Sequence, residues 1–65
     1  MQVLINGNHA SAPRNGELLA LLQQFGAREP FAVAINGNFV PKSRYPAVRV
    51  APGDQIDIVQ PIEGG

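Results

Sequence analysis

Apolar and polar positions alternate from the first residue of the chain. Met1, Val3 and Ile5 fall on one side of an extended segment, and Gln2, Leu4 and Asn6 fall on the other. A period of two predicts a strand, and the Asn6-Gly7 pair that follows predicts a tight hairpin, because both residue types accept positive φ. A weak return strand from Asn8 to Ser11 is the consequence. Pro13, Asn15 and Gly16 then interrupt the pattern. In "ELLALLQQFG" the period changes, with Leu18, Leu21, Leu22 and Phe25 at i, i+3, i+4 and i+7, the stripe of an amphipathic helix. Gly26 is placed to end it, Asn15 to cap its start, and Glu17 to sit near the positive end of its dipole. A helix this short does not hold in isolation and must pack on a sheet.

The second half repeats the strand–turn logic. Asn36-Gly37 stands between Ala32–Ile35 and Asn38–Val40, so the string "INGN" occurs at both Ile5–Asn8 and Ile35–Asn38. The flanking segments share little else, which favours two hairpins with one turn chemistry over a duplicated module. "PKSRYP" reads as irregular with one 3₁₀ turn, "AVRV" as a short strand, "APGD" as a turn and "QIDIVQ" as the last strand. Ile56 and Ile58 should point into the core, with Asp57 and Val59 outward beside Leu4 of the first strand. The first and last strands are apolar on both faces, as strands inside a sheet are. The expected architecture is α+β: a mixed sheet of four to five strands packed on one main helix, the layout of the β-grasp (ubiquitin-like) fold, with its terminal strands parallel neighbours. Residues 1–61 make a single domain and 62–65 a flexible Gly-Gly tail.

Composition narrows the function. A 65-residue chain buries only about 60% of the surface its unfolded form exposes. Without cysteine it has neither a disulfide nor a thiolate metal site to add stability. Apolar packing must suffice, and 45% hydrophobic residues allow it. Five basic residues balance five acidic ones, which removes the footprint of a nucleic-acid binder. No apolar run approaches the roughly 20 residues of a membrane-spanning helix, and no signal-peptide pattern opens the chain, so a cytoplasmic location is expected. All five bases precede residue 50, while Asp54, Asp57 and Glu63 follow it. That split fits chance scatter on a solvated surface; its sharper reading is a C-terminal segment that docks on a basic partner.

Side chains suited to catalysis are few. His9 is the single histidine and has no cysteine or second histidine with which to hold a metal. Ser11 and Ser43 would both need that one histidine as a base, and Asp54 and Asp57 fall on opposite faces of an extended chain. Lys42 is explained by a surface position, and Gly16 stands alone without a phosphate-cradling loop. No bound cofactor or metal is expected.

Attention therefore turns to "PIEGG", Pro61 to Gly65. With glycine at about 7% of residues, two at a C-terminus arise by chance in roughly 0.5% of chains, a cloning scar being the trivial rival. A Gly65 carboxylate has no side chain to shield it, and Gly64 lets the backbone pass through a channel that a Cβ would block. An enzyme could bring that carboxylate to the α-phosphate of ATP and form an acyl-adenylate. Pro61 lacks an N–H and limits further sheet pairing, leaving residues 62–65 to project at most about 13–14 Å. An exposed patch of Leu4 and Val59 would dock a partner, helped by Ile62 and Glu63.

Taken together, the "MQVLING" start, the "LLALLQQF" helix, "VAINGNFVP", "PGDQIDIVQPIEGG" and the final Gly64-Gly65 resemble the ThiS family, the ubiquitin-like sulfur carriers of thiamine (thiazole) biosynthesis. The resemblance covers the whole chain. It implies that an E1-like enzyme, ThiF, adenylates Gly65 with ATP, which the carrier itself does not bind. Sulfur from a cysteine desulfurase or another persulfide donor then converts Gly65 to a thiocarboxylate, and thiazole synthase, ThiG, receives the sulfur. The carrier is then a recycled co-substrate and not an enzyme. Three alternatives share parts of this reading: a small subunit of molybdopterin synthase, usually a longer chain; a β-grasp protein modifier, which ends in an isopeptide; and a β-grasp interaction module whose Gly-Gly end has no role.

Overall fold

The computed structural model describes residues 1–60; the expectations placed on Pro61, Ile62, Glu63, Gly64 and Gly65 lie outside the described residues. Strand β1 (Gln2–Ile5) turns at Asn6-Gly7 into β2 (Asn8–Ser11), and helix α1 (Leu18–Phe25) follows. Strand β3 (Ala32–Ile35) turns at Asn36-Gly37 into β4 (Asn38–Val40), a 3₁₀ helix spans Lys42–Ala47, and β5 (Gln55–Val59) ends the sheet. The strands lie in the order β2-β1-β5-β3-β4. β1 and β5 are parallel and the remaining pairs antiparallel, so the sheet is mixed and β5 is its central strand.

Both hairpins form because their asparagines reach the left-handed region, with φ of 51° at Asn6 and 52° at Asn36, each followed by a positive-φ glycine. That geometry is the type I′ requirement, whose twist matches the strands it joins. The turns fix the register, pairing Ile5 with Asn8 and Ile35 with Asn38. Alternation then sends Val3, Ile5, Val33, Val40, Ile56 and Ile58 to one face, where all are buried. Leu18, Leu21 and Leu22 of α1 cover that face and join the same core. No polar or charged side chain is buried among the described residues, so apolar packing carries the interior.

Three local expectations are corrected. Phe25 lies on the helical stripe but is 41% exposed, since it is the helix's last residue and the stripe outruns the core there. Asn15 is not the N-cap; that position belongs to Glu17, whose N–H donates to Asn15 Oδ1 at 3.2 Å. "AVRV" does not become a strand. Residues 48–50 instead run beside the helix lead-in, where Leu18 N–H donates to Val48 O at 3.2 Å and Val50 N–H to Gly16 O at 2.7 Å. A single bridge, Glu17 to Arg49, is all the ladder this segment makes. Gly16 permits the approach, because it has φ +73° and a Cβ there would stand 2.4 Å from Val50 O.

Candidate functional site

The alternation of β5 divides its side chains between two environments. Ile56 and Ile58 are sealed in the core, while Gln55, Asp57 and Val59 face outward, Val59 with 63% of its surface exposed. The antiparallel register sets Val59 opposite Ala32 and Asp57 opposite Ala34, and Ala34 in turn opposite Phe39 of β4. Phe39 is 69% exposed. Val59, Ala32, Ala34 and Phe39 thus lie on one outer face across three strands, with the Asp57 carboxylate opposite Ala34 among them. At the end of β5 the Arg28 N–H donates to Gln60 Oε1 at 2.9 Å, tying the last described residue to the loop after α1.

Leu4 and Val59 share the outer face but do not touch as one patch. The parallel register places Leu4 opposite Gln55, and Val59 lies four residues further along, roughly 13 Å at the strand rise. Leu4 is half-buried and pairs with His9 of β2. The apolar residues that adjoin Val59 on this face are Ala32, directly opposite it, and Ala34, with Phe39 one strand further on opposite Ala34; sequence reading passed over all three. Their signal was present: Val40 and Val33 inward require Phe39 and Ala34 outward.

The acidic residues near the C-terminus separate by role. Asp54 closes the turn into β5, its Oδ2 accepting from Ala51 N–H at 2.8 Å and its Oδ1 from Asn36 Nδ2 at 3.1 Å. Asp57 stays exposed on the outer face. Lys42 forms an ion pair with Glu29 at the surface. Ser11, Ser43 and His9 are exposed. Among the described residues no group of three His, Cys, Asp or Glu side chains converges to hold a metal ion. A shallow groove of about 460 Å³ lies between α1 and the 3₁₀ helix, lined mainly by Leu19, Leu22, Ala27, Phe31 and Tyr45. Gln23 and the paired Glu29 and Lys42 also line it. No helix among the described residues is long and apolar enough to cross a membrane.

A five-stranded mixed sheet with parallel β1 and β5 at its centre, covered by one helix, defines a ubiquitin-like β-grasp protein. The chain belongs to the ThiS family, whose model matches residues 2–65. Among solved structures it is similar to the thiamine biosynthesis protein (ThiS) from Geobacter metallireducens, with 20% identity over 100% of both chains and a TM-score of 0.80, a likeness of fold. None of the curated proteins matches it.

Proposed function

We propose that this protein is a sulfur carrier of thiamine biosynthesis that works through the carboxylate of Gly65. One observation carries the reading: the family match runs from residue 2 through Gly64-Gly65, the part of the chain suited to carboxylate activation. An E1-like partner of the ThiF type attaches AMP to the Gly65 carboxylate, releasing pyrophosphate from ATP. A persulfide sulfur displaces AMP, and a thiol cleaves the resulting S–S bond to leave the thiocarboxylate. A thiazole synthase of the ThiG type takes that sulfur in exchange for an oxygen delivered to the acyl carbon, and the carrier returns as the carboxylate. The carrier supplies binding surface and a reachable end, while its partners supply the catalytic groups.

The division of labour suits the residues. Val59, with Phe39, Ala32 and Ala34, is the docking surface, and Leu4 contributes at a separate corner of the same face. Pro61 limits sheet pairing, Ile62 and Glu63 contact the partner's channel, and Gly64 keeps the approach narrow. Single exposed apolar residues are common on protein surfaces; two of them, Val59 and Phe39, linked across β3 by half-buried Ala32 and Ala34, are what favours docking here.

Extension by one residue tests the mechanism. A chain with alanine added after Gly65 keeps its folded body and should lose all ATP–pyrophosphate exchange with the activating enzyme. Retention of exchange by the extended chain refutes the role of the Gly65 carboxylate.

A further inference from the structure

Both "INGN" segments do more than turn the chain. β1 makes its last ladder pair at Ile5 with Ile56, and the chain then leaves the sheet through Asn6-Gly7. The Asn6 N–H still donates to Ile56 O at 2.9 Å. Ile58, two residues on, has no β1 residue left to face. The Asn6 side chain takes the vacant place: its Oδ1 accepts from Ile58 N–H at 2.8 Å and its Nδ2 donates to Ile58 O at 3.2 Å. A carboxamide has the donor and acceptor of a peptide group, so one side chain extends the ladder by one step.

Asn36 does the corresponding work at the other end of β5. Its N–H donates to Gln55 O at 2.7 Å, and its Oδ1 accepts from Gln55 N–H at 2.9 Å. The two asparagines reach opposite ends because β1 runs parallel to β5 and β3 antiparallel. Asn36 holds the entry to the central strand, and Asn6 holds it just before the exit, three residues short of Pro61.

We propose that Asn6 is a positioning residue for the chemistry at the tail: its carboxamide fixes the β5 backbone at Ile58 and so sets where and in which direction the chain leaves the sheet. The proposal rests on the sulfur-carrier reading for its consequence in catalysis, though the clamp itself does not depend on it. Docking is assigned to Val59, Phe39, Ala32, Ala34 and Leu4, none of which belongs to the clamp. Loss of the clamp therefore acts on the delivery of Gly65 and not on the encounter with the partner, a change in kcat without one in KM.

The test compares Asn6→Ala, Asn6→Asp and Asn36→Ala in the full chain, at a temperature where each is folded. Asn6→Asp keeps an acceptor for Ile58 N–H and loses the donor to Ile58 O, so it stays informative if Asn6→Ala does not fold. Two hydrogen bonds are removed in Asn6→Ala, and amide exchange at Ile58, read by NMR, should accelerate roughly tenfold or more relative to Asn36→Ala. In ATP–pyrophosphate exchange with the activating enzyme, Asn6→Ala should lower kcat roughly tenfold with KM within about twofold, and Asn6→Asp should fall between it and the parent. A merely structural role would affect Asn6→Ala and Asn36→Ala alike and leave kcat of the folded protein unchanged; either result overturns the proposal. Unchanged exchange at Ile58 in both Asn6 variants also overturns it. Absence of adenylation in the parent chain would instead count against the sulfur-carrier reading, with Ile58 exchange still deciding the clamp.

Discussion

The two faces of β5 are built from the same alternation and serve opposite ends. Ile56 on the inner face is completely buried, whereas Val59, three residues later on the outer face, keeps 63% of its surface exposed. The inner face meets α1 and is held by apolar contact; among the described residues no helix covers the outer face, which carries Val59, Ala32, Ala34 and Phe39. In a chain this small, apolar surface on the outside contributes nothing to the core. The difference teaches that stability and the proposed docking are separable along one strand, and single substitutions can address them one at a time.

The largest expected effect is on the inner face. Ile56→Ala removes a fully buried side chain from the central strand and should cost about 2–5 kcal/mol, read as a shift in the denaturation midpoint. A loss under about 1 kcal/mol would mean that the two faces are not as different as their burial indicates. Next comes Gly16→Ala, which sharpens the comparison by asking how the inner face is closed at its edge. With positive φ and a Cβ 2.4 Å from Val50 O, it should cost roughly 1–3 kcal/mol and expose Val50, seen as faster amide exchange at Val50. Asp54→Ala, which loses two hydrogen bonds at the turn into β5, should cost about 1–2 kcal/mol by chemical denaturation. The smallest stability effect belongs to the outer face: Val59→Ala and Phe39→Ser should each move stability by less than about 0.5 kcal/mol. The same two variants should raise the KM of the activating enzyme for the carrier by about tenfold or more, since a buried anchor is worth over 1 kcal/mol at an interface. Unaltered KM in both would remove the outer strip from the docking surface.

Much of this was legible where structure is local. The Asn-Gly pairs place β2 at Asn8–Ser11, and β3 and β4 at Ala32–Ile35 and Asn38–Val40, because the turn type dictates the register on either side of it. Gly26, at φ 85°, ends α1 where a left-handed residue was expected. What escaped was non-local. "AVRV" has the composition of a strand, but its partners are Gly16 and Leu18, thirty or more positions earlier in the chain. That same pairing holds Gly16 at positive φ and Glu17 extended and delays the helix to Leu18, displacing Asn15 from the cap. The separation of Leu4 from Val59 follows from the parallel β1–β5 register, which no turn specifies. Phe39 is readable from period two, since Val40 inward requires Phe39 outward. The peptide-like use of Asn6 needed both the turn and the register, and neither alone shows it.

The central claim is that Gly65 carries the sulfur, and the intact mass of the protein isolated from its native cells tests it most directly. With the thiazole-synthase partner deleted so that the loaded form accumulates, the account predicts a species in which one oxygen is replaced by sulfur, localised by fragmentation to Gly65. An unmodified Gly65 carboxylate in those cells, or Gly65 joined through an isopeptide to a lysine, would contradict it.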